Sequence, residues 1–405
     1  MKKLLTLIIL LLVSAKIAAQ ETRISHRFGG RIDLNIFSDT YKSIESRGGI
    51  LYLFPSAPSI NSKGEDINAR PQLRISAATT RFNYTIEATN LLGGTAKGFI
   101  ETDFLGTGES FIGMLRLRHA YINIVWTKSS LLMGQTWHLT MPDVMAANTV
   151  LFGGGYPIYP LARNPQIQYT YNIGKWGRLT AAAGMFGGEF GQGQSNAMIP
   201  DVQLRFQGGN PADFVWGAVG GVKVIRPRVV DEEQNFVYER ATSLNAVAYA
   251  RYTSTGGYAF RLYGIWGQDL TPLGMVGGYA PLYSEREAAD YGYGAFSTVS
   301  AQLDIESPVA ACGWQWGLYG GLMKNLGSPK ELLLSKAVIN HPGMDNFWRI
   351  SPRLYYNYGK HLTLGLEYLI TGANWMKKSS DNYLAQELHP TTYNNRVTIL
   401  ARYRF

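Results

Sequence analysis

The sequence predicts an all-β fold, a transmembrane antiparallel β-barrel of about 16 strands with one loop folded inward as a constriction. Three observations predict it. Apolar and polar residues alternate with period two along many short stretches, giving each stretch one face of each kind. Of 405 residues, 45 are Gly, 25 Tyr, 17 Phe and 9 Trp, yet only 17% are charged, against ~25% in an average soluble domain. Beyond the first residues there is no apolar run of the ~18 residues that a membrane helix needs. A chain that crosses with strands must close into a barrel, because hydrocarbon offers no partner to an open backbone edge.

Residues 1–19 read as a secretory signal. Lys2 and Lys3 precede an apolar core from Leu4 to Val13, and Ala18-Ala19 supply small residues before Gln20. Residues 20–405 then form one barrel domain, since neither a fixed-period repeat nor a linker divides them. The expected location is the outer membrane of a Gram-negative bacterium, with its lipid as the surrounding partner. The formal charge of +9 falls by Lys2, Lys3 and Lys16 in the mature chain, and no basic block points to nucleic acid. Cys312 stands alone, so there is no disulfide framework within the chain.

The alternation is clearest at the C-terminus. Val397, Ile399, Ala401, Tyr403 and Phe405 alternate with Arg396, Thr398, Leu400, Arg402 and Arg404. Ile32, Leu34 and Ile36 against Arg31, Asp33 and Asn35 repeat the pattern, as do Val202, Leu204 and Phe206 against Asp201, Gln203 and Arg205. The candidate strands are 27–38, 70–90, 96–105, 112–126, 130–138, 166–173, 178–187, 200–207, 213–226, 239–253, 258–267, 292–305, 312–322, 345–357, 361–371 and 393–405. Their number is even, as a single-chain barrel with both ends on one side requires. Within 70–90 the parity switches between Ala77 and Phe82; a bulge is expected there, because a turn gives an odd count. Every second connection is a short turn, and the others, apart from 106–111, are long enough for extracellular loops, 39–69 among them. A soluble sandwich would turn its apolar faces inward, whereas these faces carry aromatics near the strand ends.

Sixteen strands enclose water rather than a side-chain core. Only Gln20 to His26 separate the signal segment from the first strand, so a loop is expected to narrow the lumen. The loop 139–165 suits this role, being long, apolar and rich in Gly and Pro, with Asp143 and Arg163 as its only charges. Parity turns many arginines inward, and rings of arginine favour anions. Arg116, Arg118 and Arg163 are the candidate constriction cations, facing Asp143, with Gln135 and Trp137 at the root of the loop. Glu101, Asp103, Arg349 and Arg353 complete the candidate lumen, and His119 is expected to face outward beside Leu115 and Leu117.

Enzymatic readings lack support. No Gly-x-Ser-x-Gly occurs, none of the six histidines joins a serine in a motif, and no Cys or His cluster has metal spacing. Gly191-Gln192-Gly193 lacks the third glycine and helix of a phosphate loop. No cofactor or metal is expected.

Ile100-Glu101-Thr102-Asp103-Phe104, then Leu115-Arg116-Leu117-Arg118-His119-Ala120-Tyr121, then Gly134-Gln135-Thr136-Trp137 before a long loop resembles the DcaP-like outer-membrane porins. The resemblance covers about residues 96–140. It implies a sixteen-stranded homotrimer, each subunit with its own pore, passing small hydrophilic solutes, and above all anions such as dicarboxylates. The terminal Phe405 resembles the signal by which the barrel-assembly machinery selects its clients. The alternative is a structural or adhesive barrel whose extracellular loops bind partners without significant transport.

Overall fold

A computed structural model describes residues 23–187, 191–285 and 291–405. The signal segment 1–19 lies outside the described residues. Among them, sixteen antiparallel strands close into one barrel. Strand β1 is Ile24–Asp39; β2 comes in two pieces, Gln72–Ser76 and Arg81–Leu91; β3 is Gly94–Asp103 and β4 Arg116–Val125. Next come β5 (Ser129–Trp137), β6 (Arg163–Asn172), β7 (Arg178–Gly184) and β8 (Asp201–Gly209). They are followed by β9 (Phe214–Ile225), β10 (Ala241–Thr253), β11 (Ala259–Gln268) and β12 (Tyr293–Glu306). The last four are β13 (Trp314–Gly327), β14 (Met344–Tyr358), β15 (Leu362–Ser379) and β16 (Thr392–Arg404).

Each strand pairs with its sequence neighbours, and β1 closes the ring against β16 in the register Asp33↔Arg402 and Asp39↔Arg396. Both pieces of β2 lie along β1, Ser76 opposite Asn35 and Arg81 opposite Arg31. Residues 77–80 are therefore an interruption within one strand, as the strand count required.

Burial is inside out relative to a soluble domain. Ile32, Leu34, Leu204, Leu303, Leu366 and Ile399 are exposed, while the alternate positions Asp33, Gln203, Asp304, Glu367 and Thr398 are buried. An exterior of this kind is stable only against hydrocarbon, which wets the apolar face that water would not. Exposed Trp176, Trp216, Trp314, Trp316, Tyr358 and Tyr403 ring the short-turn end, where their amphipathic rings suit a membrane–water boundary. Among the described residues no helix is long and apolar enough to cross a membrane.

The first long connection departs from the expected extracellular loop. Its hairpin, Ser43–Ser46 paired with Leu51–Pro55, folds inward. Tyr52 and Phe54 are fully buried. The Tyr52 hydroxyl lies 2.5 Å from Thr371 Oγ1, and Trp375 Nε1 donates to the Pro55 carbonyl at 3.0 Å. Fully buried Arg396 holds Asp39 with two bonds of 2.7 Å and donates a third to the Gly49 carbonyl at 2.8 Å. The apolar run Leu51-Tyr52-Leu53-Phe54 explains the inward turn, since outside it would be exposed to water.

Candidate pore constriction

Trp137 and Arg163 pair where β5 ends and β6 begins, and the loop between them crosses the lumen. Many of its apolar residues are buried, Met145 and Ile158 completely, while Val144, Phe152, Tyr156 and Leu161 are half-buried. The far wall receives its backbone group by group. The hydroxyls of Tyr263, Ser300 and Tyr355 donate to the carbonyls of Thr140, Ile158 and Asn148 at 2.9, 2.7 and 2.8 Å. Glu367 Oε2 accepts the amides of Val150 and Leu151 at 2.6 and 3.0 Å. Gly155 sits so near the wall that a Cβ would lie 2.6 Å from both Gln302 Oε1 and the Tyr319 hydroxyl. With its φ of +105°, only glycine suits the position.

The crossing leaves a cavity of about 310 Å³ against the opposite wall. Arg31 from β1, Arg81 from β2, Arg118 from β4 and Arg402 from β16 line it, with Asp143 and Phe152 on the loop side. Acids behind the arginines hold them in place. Asp33 accepts from Arg402 at 2.7 and 3.0 Å and lies 3.1 Å from Arg31. Arg118 reaches Glu101 at 2.5 Å and Asp103 at 2.9 Å, and Arg81 lies 3.7 Å from Glu101. Arg116 grips Asp103 through two bonds of 3.0 and 2.7 Å. Three acids thus face five arginines, and the wall keeps a positive excess. Arg163 stacks over Trp137 at 4.6 Å with one buried guanidinium nitrogen unpartnered.

Arg116, Arg118, Arg163, Glu101, Asp103, Trp137 and Asp143 therefore gather around the loop and its root. Three other candidates lie elsewhere. Gln135 stands opposite Ala120 on the outer face, and its amide donates to the Leu117 and Arg118 carbonyls at 3.2 Å each. Arg349, 1% exposed, is covered by the loop and donates to the Tyr156 carbonyl at 2.6 Å. Arg353 is enclosed with Asp304, at 2.7 Å, and Glu306, in a cluster shared with Arg261. All three have structural partners in place of solute.

His119 is a further correction. The register of β3 and β4 shifts between Glu101 and Thr102, which face His119 and Leu117, so Arg118 is the bulged residue. A bulge reverses the alternation beyond it, and His119 turns inward with Arg118. Its Nδ1 lies 3.2 Å from Thr136 Oγ1.

Three residues of the cavity wall, Arg31, Arg81 and Arg402, are not among the site candidates that the sequence singles out. Alternation turns Arg31 and Arg402 inward, but only ring closure makes them neighbours. Arg81 follows the parity switch in β2, which concealed its direction.

No family model and no curated protein matches the sequence. Solved structures do. The outer membrane channel DcaP of Acinetobacter baumannii superposes with a TM-score of 0.68 at 16% identity, over 94% of this chain and 97% of that one. An anion-selective porin from Comamonas acidovorans gives 0.55 at 12% identity, over 95% and 100%. The trimer form of OmpT, an outer membrane protein of Vibrio cholerae, also gives 0.55 at 12%, over 94% and 99%. The fold is that of the porins. Among the described residues, no group of three His, Cys, Asp or Glu side chains could hold a metal.

Proposed function

We propose that the chain is an outer-membrane diffusion channel for small hydrophilic solutes that favours anions, dicarboxylates among them. The observation that carries this reading is the arginine excess on the wall of the 310 Å³ cavity. Guanidinium groups attract carboxylates, and partial neutralisation by Asp33, Glu101 and Asp103 keeps the hold weak enough for release. The description of the Comamonas porin as anion-selective and that of the Acinetobacter protein as a channel support it. Export through the signal 1–19, insertion by the barrel-assembly machinery through Phe405, and a homotrimer in lipid complete the reading. The Vibrio trimer supports the last of these.

Planar-bilayer recording in a salt gradient tests the proposal. The expected result is stepwise insertion of conducting units with an anion-selective reversal potential. Arg118→Ala combined with Arg402→Ala moves that potential towards zero. Cation selectivity in the wild type overturns the anion preference, and a barrel that inserts without current is a structural or adhesive one.

A further inference from the structure

The constriction loop borders a second cavity, of about 370 Å³, whose chemistry differs from the first. Trp137, Met141 and Asp143 line both and form the partition between them. Around the second, Arg205 and Asp143 are the only Asp, Glu, Lys or Arg side chains among the described lining residues, so the formal charges balance. The basic cavity sets four arginines against the same Asp143.

Neither of these two charges is satisfied by the protein. Arg205 makes no hydrogen bond or ion pair among the described residues, and its Nε is buried without a partner. Asp143 is exposed on the loop, and its carboxylate takes no hydrogen bond or ion pair there. Both line this cavity, and no ion pair joins them. Asn123, on the same lining, has a buried Oδ1 with no donor. Phe99, Trp137 and Tyr121 add aromatic surface. A free cation and a free acid facing each other across an electrically balanced cavity complement a solute with both charges and no net charge.

We infer that this second cavity is a transit site for small zwitterions, with the solute's carboxylate on Arg205, its ammonium on Asp143, and its side chain against the aromatic surface. The inference rests on the channel reading above and extends it from anions to net-neutral dipolar solutes of the amino-acid class. Partial occupancy is sufficient, because a solute held too tightly would block its own passage.

Liposomes containing the full chain test it by swelling in L-serine, in erythritol as an uncharged solute of similar size, and in succinate. The wild type is expected to admit serine faster than erythritol. Arg205→Ala and Asp143→Asn should each lower that ratio by about threefold, the scale of one solvent-exposed charge contact. Arg205→Lys should preserve most of it, which separates loss of charge from failure to fold. Arg118→Ala should slow succinate while leaving the serine ratio unchanged. Erythritol entry with no serine preference, or a preference indifferent to both Arg205→Ala and Asp143→Asn, overturns the zwitterion site alone. Exclusion of all three solutes overturns the channel and this site together.

Discussion

Glu367 on β15 holds the constriction loop from the opposite side of the barrel, one carboxylate oxygen accepting the amides of both Val150 and Leu151 at 2.6 and 3.0 Å. All three residues are buried. A buried amide without an acceptor costs about 1–3 kcal/mol, so Glu367→Ala orphans two donors at once. The loop is expected to loosen locally, because the wall bonds to Thr140, Asn148 and Ile158 remain. Hydrogen exchange should accelerate at 148–152, and open-channel current noise should rise. Glu367→Gln keeps an acceptor oxygen and should have the smaller effect. Unchanged protection in Glu367→Ala would show that the loop is held by its apolar contacts alone.

Selectivity should follow access to the cavity, not the number of arginines in the barrel. Arg402 and Arg81 line the cavity, whereas Arg349 is covered. Arg402→Ala and Arg81→Ala are each expected to shift the reversal potential towards zero. Arg349→Met should leave it in place and lower stability instead, by the ~1.5–3 kcal/mol typical of a hydrogen bond from a charged group. Reversal potentials and thermal unfolding measured on the same three variants decide the matter. A selectivity change in Arg349→Met would mean that its charge acts through the loop.

Much of this architecture is legible in the sequence. Period-two alternation found the sixteen strands, because each wall position in a closed barrel faces either hydrocarbon or lumen. Apolar content and turn residues directed the loop after β5 inward. Alternation is a local rule, however, and it fails at an irregularity. The bulge at Arg118 turned His119 from the outer face to the lumen, and the interruption at 77–80 hid Arg81. Closure is invisible in the same way, since Arg31 and Arg402 lie at opposite ends of the chain and meet only across the β1–β16 seam. Burial beneath a loop is a third blind spot. Parity correctly turns Arg349 inward, but nothing local says that Tyr156 will cover it.

The seam itself makes a prediction about Gly30. Its amide and carbonyl both pair with Phe405, at 3.2 Å each, and the Phe405 ring packs near those of Phe28 and Phe82. A Cβ on Gly30 would lie 2.5 Å from the Arg81 carbonyl oxygen and 2.8 Å from the Phe405 ring. The first neighbour is backbone and cannot yield without moving the strand. Gly30→Val is expected to cost roughly 1–3 kcal/mol as overpacking and to lower the yield of folded, heat-modifiable barrel. Gly29→Ala meets the Asn83 side chain at 3.2 Å and the Phe405 carbonyl oxygen only at an ordinary 3.5 Å, and should assemble nearly as well as the wild type. Equal yields from the two variants would remove the seam from the assembly argument.

The inward hairpin of the first loop should respond to acid through His341, which lies in the loop between β13 and β14. Burial lowers its pKa from 6.5 to about 4, and its ring meets Phe54 edge-on at 5.0 Å. The neutral ring is therefore the form that the folded loop favours. Between pH 6.5 and about 4 the unfolded loop binds the proton more readily, so this contribution is complete above 6.5 and is lost as the pH falls towards 4. Acidification across that window should release Phe54 and expose the hairpin Leu51–Pro55, read as faster hydrogen exchange in that segment. His341→Phe keeps an aromatic edge without a titrating nitrogen and should flatten the response. If the exchange rates of wild type and His341→Phe, corrected for intrinsic chemistry, run parallel from pH 7 to 4, another group governs the hairpin.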